Sequence, residues 1–403
     1  MKSSFQSPPH KQQQKLLARL LIVIPPPFLT FASGVTLGII VSFFLQTMPV
    51  PFTIQSTQIS LILGNGRSSN DNNINLTDPK FTVKRKGLRG YLSLDSILHD
   101  MTDDELLWRA SMVPMTTVYP YRRVPKVAFL FLTRGDLPFA PLWDKFFKGN
   151  QGLYSIYVHT DPGFNGSVAP EGTVFDGRRI PSKIVTWGGL NMMEAERRLL
   201  GNALLDMSNQ RFVLLSEACI PLVKFRTVYE YLTESTTSFV ESYDRPGRDQ
   251  RGRYRPRMSP KIRGTDWRKG SQWFEMDRAM ALLVISDDKY YSVFRKHCQS
   301  SCYIDEHYIP TLLHVMGRSS RKEIANADRS LTWVDWSKGG AHPARFVRTQ
   351  VTVELLQSLK RANNGSSCVY NGENNDLCHL FARKFHPNAL DRLMRFSWKA
   401  MGF

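Results

Sequence analysis

From Lys126 onward the chain alternates apolar runs of strand length with amphipathic stretches. "KVAFLFLT" (126–133), "LYSIYVHTD" (153–161), "SKIVTW" (182–187) and "RFVLLSE" (211–217) are the runs. Between them lie "LPFAPLWDKFFK" (137–148) and "NMMEAERRLLGNALLDMS" (191–208), the latter with Leu200, Leu204 and Met207 on one helical face. Strands buried on both faces read as continuous apolar runs, and parallel neighbours need long crossovers. The expected fold class is therefore α/β, a mostly parallel sheet flanked by helices. Ligands of such sheets sit beyond the carboxyl ends of the strands. Those ends are Thr133-Arg134, His159-Thr160-Asp161, Trp187-Gly188 and Ser216-Glu217.

The chain is long enough, at 403 residues with 42% hydrophobic, to bury a sizeable core. Residues 121–403 read as one unit. The stretch "GNGRSSNDNNINLTDP" (64–79) is turn-rich, so 49–120 reads as a stem. Within that stem "SLDSILHDMTDDELLWRASM" suggests two short helical pieces with Asp and Ser at cap-like positions.

No charged residue occurs from Leu20 to Met48, after a tail carrying Lys2, Lys11, Lys15 and Arg19. A bilayer needs ~20 apolar residues. Residues 28–48 therefore read as a single transmembrane anchor, with 1–27 as a cytoplasmic tail and the start of the apolar segment, because basic flanks face the cytoplasm. A cleaved signal peptide is the rival reading, but the run is long and starts late. The rest of the chain would be luminal. Sequons at Asn75, Asn165 and Asn364 accord with that placement. In an oxidising lumen Cys368 and Cys378 could close one loop and Cys298 and Cys302 another, leaving Cys219 over.

The formal charge of +18 points to phosphate-bearing or acidic partners. Ten Arg and Lys against two Asp between Arg245 and Lys269 supply eight of those charges. So local a source argues against a general nucleic-acid coat, and a luminal placement contradicts nucleic-acid binding.

"YIDEHYIPTLLHVM" (303–316) opens an apolar helical run with two carboxylates. The plain reading is a helix with Asp305 as N-cap, Glu306 in the first turn, and Ile309, Leu312 and Leu313 on the buried face. The sharper reading makes the same carboxylate a general base aimed at a hydroxyl. A metal site is the weaker reading: three consecutive side chains splay around a helix, and no D-x-D or zinc-type spacing occurs. Glu275-Met276-Asp277 is the nearest substitute, and Asp277 is more simply an N-cap. Arg361, Lys384 and the basic stretch could neutralise a leaving diphosphate without metal. No nucleophile elbow, P-loop or dinucleotide fingerprint is present. Trp333 and Trp336 suit either the core or a sugar platform.

"FDGRRIPSKIVTWGG", "AERRLLGNALLDMSNQRFVLLSEACIPL", "WRKGSQWFEMDR", "YIDEHYIPTLL", "TWVDW" and "LCHLFARKF" occur in this order. Together they resemble the core-2/I-branching β-1,6-N-acetylglucosaminyltransferase family (glycosyltransferase family 14), most of all its plant branch, over Lys126 to Phe396. The resemblance implies a GT-A-like nucleotide-sugar-binding fold in a Golgi type II membrane protein. It implies inverting transfer from a UDP-sugar to a glycan, without a metal or other cofactor. It places the catalytic base at Glu306. Lys384 and Arg361 would meet the donor diphosphate and Asp161 the nucleotide, with Glu241, Arg253 and Trp333 near the acceptor. The family name implies N-acetylglucosamine on a β-1,6 branch. Plant relatives that transfer glucuronic acid onto arabinogalactan chains keep a β-glucuronosyltransferase open, as does a glycan-binding relative without catalysis.

Overall fold

The computed structural model describes residues 97–114, 118–298, 301–316, 328–362 and 365–403. The anchor at 28–48, most of the stem, and the sequons at Asn75 and Asn364 lie outside the described residues. Among the described residues no helix is long and apolar enough to cross a membrane.

In chain order the elements begin with α1 (Asp103–Ala110), β1 (Lys126–Leu132), α2 (Ala140–Phe147), β2 (Tyr154–His159) and α3 (Leu190–Leu204). Then come β3 (Asn209–Ser216), β4 (Ile220–Pro221), α4 (Phe225–Glu234), β5 (Glu275–Asp277), α5 (Arg278–Ser286) and α6 (Tyr291–His297). The last set is α7 (Ile304–Val315), β6 (Thr332–Val334), α8 (Val353–Ser358), β7 (Cys368–Tyr370), β8 (Glu373–Asn375), β9 (Phe381–Arg383) and α9 (Leu390–Phe396).

The main sheet has the order β2-β1-β3-β5. The first three strands are parallel and β5 closes the edge antiparallel. All of β1 beyond Lys126 is buried, as its unbroken apolar run requires. Phe129 and Phe131 meet Trp143 of α2 edge-on, and Phe129 also touches Phe225 of α4. Alternate residues of β1 point the other way. Helix α3 also packs against β1, β2 and β3.

"SKIVTW" is not a strand. Pairing beside β2 ends with Ile180 donating to Val158 O at 2.9 Å. Beyond Pro181 side chains replace the backbone ladder: Thr160 N donates to Ser182 Oγ at 3.4 Å and Lys183 N donates to His159 Nε2 at 3.3 Å. The chain then runs extended into a turn, with Ile184 exposed. Helix α3 likewise stops before Met207, where Arg278 donates to the carbonyls of Leu204, Asp206 and Asn209.

A second, three-stranded sheet, β4-β9-β6, starts where β3 runs into β4. Its strand β9 lies parallel to β6, so Trp333 pairs with Ala382 and Val334 with Arg383. This register carries Trp333 and Lys384 towards the carboxyl end of the main sheet. Cys298 is bonded to Cys302 and Cys368 to Cys378, while Cys219 is a buried free thiol. Asn165 is exposed in the loop after β2.

Candidate active site

A cavity of about 1680 Å³ opens at the carboxyl ends of β1, β2 and β3. Arg134, Asp161 and Glu217 line it from the three strand ends. Glu306, Glu241, Arg253, Trp333 and Lys384 line it from the rest of the chain. Six of the seven catalytic, donor or acceptor positions expected from the sequence therefore meet in one space. The seventh, Arg361, is exposed and does not line the cavity, although the adjoining Ala362 does.

Glu306 is delivered by the first turn of α7. The helix does not begin at Asp305 as expected. Its N-cap is Tyr303, which holds φ 53°, and no side chain caps the helix. A β-branched or bulky residue is rare in that left-handed region. Asp305 is instead buried in the first turn, with one carboxyl oxygen lacking a hydrogen-bond partner. Ile309, Leu312 and Leu313 form the buried face as the apolar spacing requires.

The basic stretch has a local role. Met258, Ile262 and Trp267 bury and pin it. Trp267 stacks on the His307 ring at 4.5 Å, beside the first turn of α7. The pinned loop then aims two cations at one carboxylate. Arg253 Nη1 donates to Glu306 Oε2 at 2.7 Å, and Lys269 Nζ lies 3.2 Å from the same oxygen. The Arg253 guanidinium also covers the Tyr303 ring at 4.2 Å.

Gly270 makes this approach possible. Its N–H donates to Glu306 O at 2.9 Å. A Cβ on it would fall 1.8 Å from Glu241 O and 2.9 Å from Pro310 Cγ. Only glycine lets the Glu241 segment and α7 close on one another here. Burial pushes the Glu241 carboxyl up, Lys269 opposes that shift, and Glu306 adds to it. Beneath Glu306, burial and the Glu306 charge push Asp305 up to about 7. Glu196, fully buried and held by Gln272 Nε2 at 2.9 Å, is also pushed up, by burial and then by Asp305.

Around Lys384 the cavity wall is cationic. Burial lowers the Lys384 ammonium, and Arg383, Arg345 and Arg134 lower it further, against an opposing pull from Glu217. Like charges crowded in a partly buried wall form a receptor for an anion. Arg345 carried no sequence signal of its own, while Arg134 stood at a predicted strand end.

The alternative acidic motif is committed elsewhere. Glu275 makes two 2.7 Å hydrogen bonds with Arg211, and Asp277 caps α5 by accepting from Met280 N at 2.7 Å. Trp333 is half-buried against Phe346 at 5.8 Å yet reaches the cavity, so it serves both core and wall.

The core-2/I-branching enzyme family model matches residues 127–360. The chain belongs to the core-2/I-branching enzyme family. It is 36% identical over 309 residues to glycosyltransferase BC10 of Oryza sativa subsp. japonica, covering 68% of this chain and 76% of that protein. The matched span of the family model contains all three strand ends and the whole of α7. It stops before β9, so Lys384 is assigned to the cavity by geometry. This is a glycosyltransferase of the branching family.

Proposed function

We propose that the chain transfers a sugar from a UDP-sugar to a hydroxyl of a glycan acceptor, inverting the anomeric carbon, with Glu306 as general base. Glu306 takes the hydroxyl proton as the acceptor oxygen bonds to the anomeric carbon. The bond from that carbon to the β-phosphate oxygen breaks, and UDP leaves toward Lys384, Arg345 and Arg134. General-base assistance contributes about 10²–10⁴-fold. The observation that carries this reading is that Glu306 and Lys384 line the same cavity. A general base and a cation cluster lining one space let a bound acceptor and donor reach both at once.

In this reading Asp161 meets the nucleotide. Glu241, Arg253 and Trp333 meet the acceptor, and cations replace a metal at the diphosphate. The resemblance to the β-1,6-N-acetylglucosaminyltransferases favours N-acetylglucosamine placed on a branch. The excess of Arg and Lys over acids at the donor end favours glucuronic acid as the second donor to try. The purified full-length chain is assayed against UDP-sugars with glycan acceptors, with and without chelator. Inverted product formed equally in both conditions supports the reading. A retained anomeric configuration, or activity abolished by chelator, rejects it.

The chain is further proposed as a Golgi type II membrane protein. Support comes from the two disulfides, which belong to oxidising compartments, and from the exposed Asn165 sequon. An endoglycosidase-sensitive mobility shift that Asn165→Gln reduces supports a luminal catalytic unit. A full-length protein with no glycan on any sequon contradicts it.

A further inference from the structure

Beside Glu306 the cavity rim carries an aromatic corner to which the chemistry above assigns no role. Trp187, 47% exposed, meets the Tyr303 ring at 5.3 Å and 70°, and the His342 ring at 5.0 Å. All three residues line the cavity. Large aromatic rings left to water at a cavity rim cost free energy that a covering ligand recovers.

This corner is built, not incidental. Trp187 sits in a turn closed by Gly189 N donating to Thr186 O at 2.9 Å. Asn191 ties the same turn twice: its Oδ1 accepts from Thr186 N at 3.0 Å, and its Nδ2 donates to Ile184 O at 3.2 Å. Gly188 takes φ 72° directly after the tryptophan. Tyr303 holds its own left-handed backbone between the Cys298–Cys302 bridge and α7. Strained non-glycine backbone concentrates at functional sites, where the surroundings enforce it. The result is a fixed ring pair whose inner member lies three residues before Glu306 and under Arg253.

We infer that Trp187 and Tyr303 form a carbohydrate subsite for the second ring of the acceptor, next to the ring whose hydroxyl faces Glu306. A pyranose presents C–H groups on one face and hydroxyls around its edge. Its apolar face covers an aromatic ring, and Arg253 and His342 remain at the rim for its hydroxyls. The cavity is continuous from this corner to Glu306, so one oligosaccharide spans both. The inference rests on the glycosyl-transfer reading for its register relative to Glu306, and on the aromatic corner for the binding itself.

Two measurements keep the two claims separate. First, the full-length chain is applied to an array of mono-, di- and trisaccharides of galactose, N-acetylglucosamine and xylose, without donor. The wild type retains at least one di- or trisaccharide over its monosaccharide. Trp187→Ala loses that preference roughly tenfold, and Trp187→Phe keeps most of it. Second, where transfer is detected, Trp187→Ala raises KM for the longer acceptor by a similar factor. It leaves kcat, donor KM and the monosaccharide KM unchanged. Length-selective binding through Trp187 in a protein that transfers nothing upholds the subsite and overturns the enzymatic reading. A wild type that retains no longer sugar over its monosaccharide, or a Trp187→Ala protein with undiminished preference, overturns the subsite.

Discussion

Arg253 Nη1 donates to the Glu306 carboxylate at 2.7 Å while its guanidinium lies over the Tyr303 ring at 4.2 Å. One cation thus joins the loop, the helix start and the carboxylate proposed as base. A charge-assisted hydrogen bond of this kind contributes roughly 1.5–3 kcal/mol. Arg253→Ala is expected to lower kcat/KM by about 10- to 100-fold with the fold intact. Arg253→Lys recovers part of that, because a lysine supplies the charge without the planar stack. Equal rates in all three proteins, measured with one donor–acceptor pair, contradict the positioning role.

Gly270 has the tightest surroundings of the described glycines, with Glu241 O 1.8 Å from where a Cβ would stand. Gly270→Ala must separate the Glu241 segment from α7. Clashes with backbone are relieved only by moving it, so the loss of stability is expected at the upper end of single substitutions, about 3 kcal/mol or more. Thermal unfolding reads the loss, and activity falls with it. An unchanged melting temperature shows that the segments do not pack as described.

Asp305 links stability to pH. Its folded-state value is raised from 3.8 to about 7, first by burial and then by the Glu306 charge. Between those values the folded chain holds a proton that the unfolded chain releases. Its contribution is complete below about 4 and is lost as pH rises through about 7, a change on the order of a few kcal/mol. Glu275, also raised to about 7 by burial against the pull of Arg211, acts in the same window. The test is therefore the difference between wild type and Asp305→Asn in denaturant unfolding at pH 5 and pH 8. The variant gains relative to wild type at pH 8. Parallel profiles for the two proteins contradict a protonated Asp305.

Lys384 and its cationic neighbours predict a donor-side defect. Lys384→Ala is expected to weaken UDP binding by about 10- to 100-fold, and Arg345→Ala by less, since Lys384 stands among the cations. Calorimetric titration with UDP reads both. An unaltered affinity in Lys384→Ala moves the diphosphate elsewhere in the cavity.

The parallel core was legible because β1 and β3 are buried along their length, and burial on both faces writes itself as unbroken apolar sequence. "SKIVTW" has the same texture, but there Ser182 Oγ and His159 Nε2 accept the backbone N–H groups of Thr160 and Lys183 in place of a ladder, which local hydrophobicity does not report. Glu306, Asp161 and Lys384 were legible from family blocks. Arg345 was not, because its meeting with Lys384 depends on two segments brought together by β6 and β9. Tyr303 was missed as the helix start because Asp305 supplies a conventional cap side chain. The left-handed turn that displaces it follows the Cys298–Cys302 bridge and carries a ring that Trp187 and Arg253 contact, long-range partners that local sequence does not show.

The most direct measurement is the steady-state rate of Glu306→Gln with the donor and acceptor that the wild type uses. UDP affinity and the circular dichroism spectrum are recorded alongside it. The account predicts that kcat/KM falls by about 10²–10⁴-fold while fold and UDP binding remain. A folded, UDP-binding Gln protein that turns over like the wild type contradicts it.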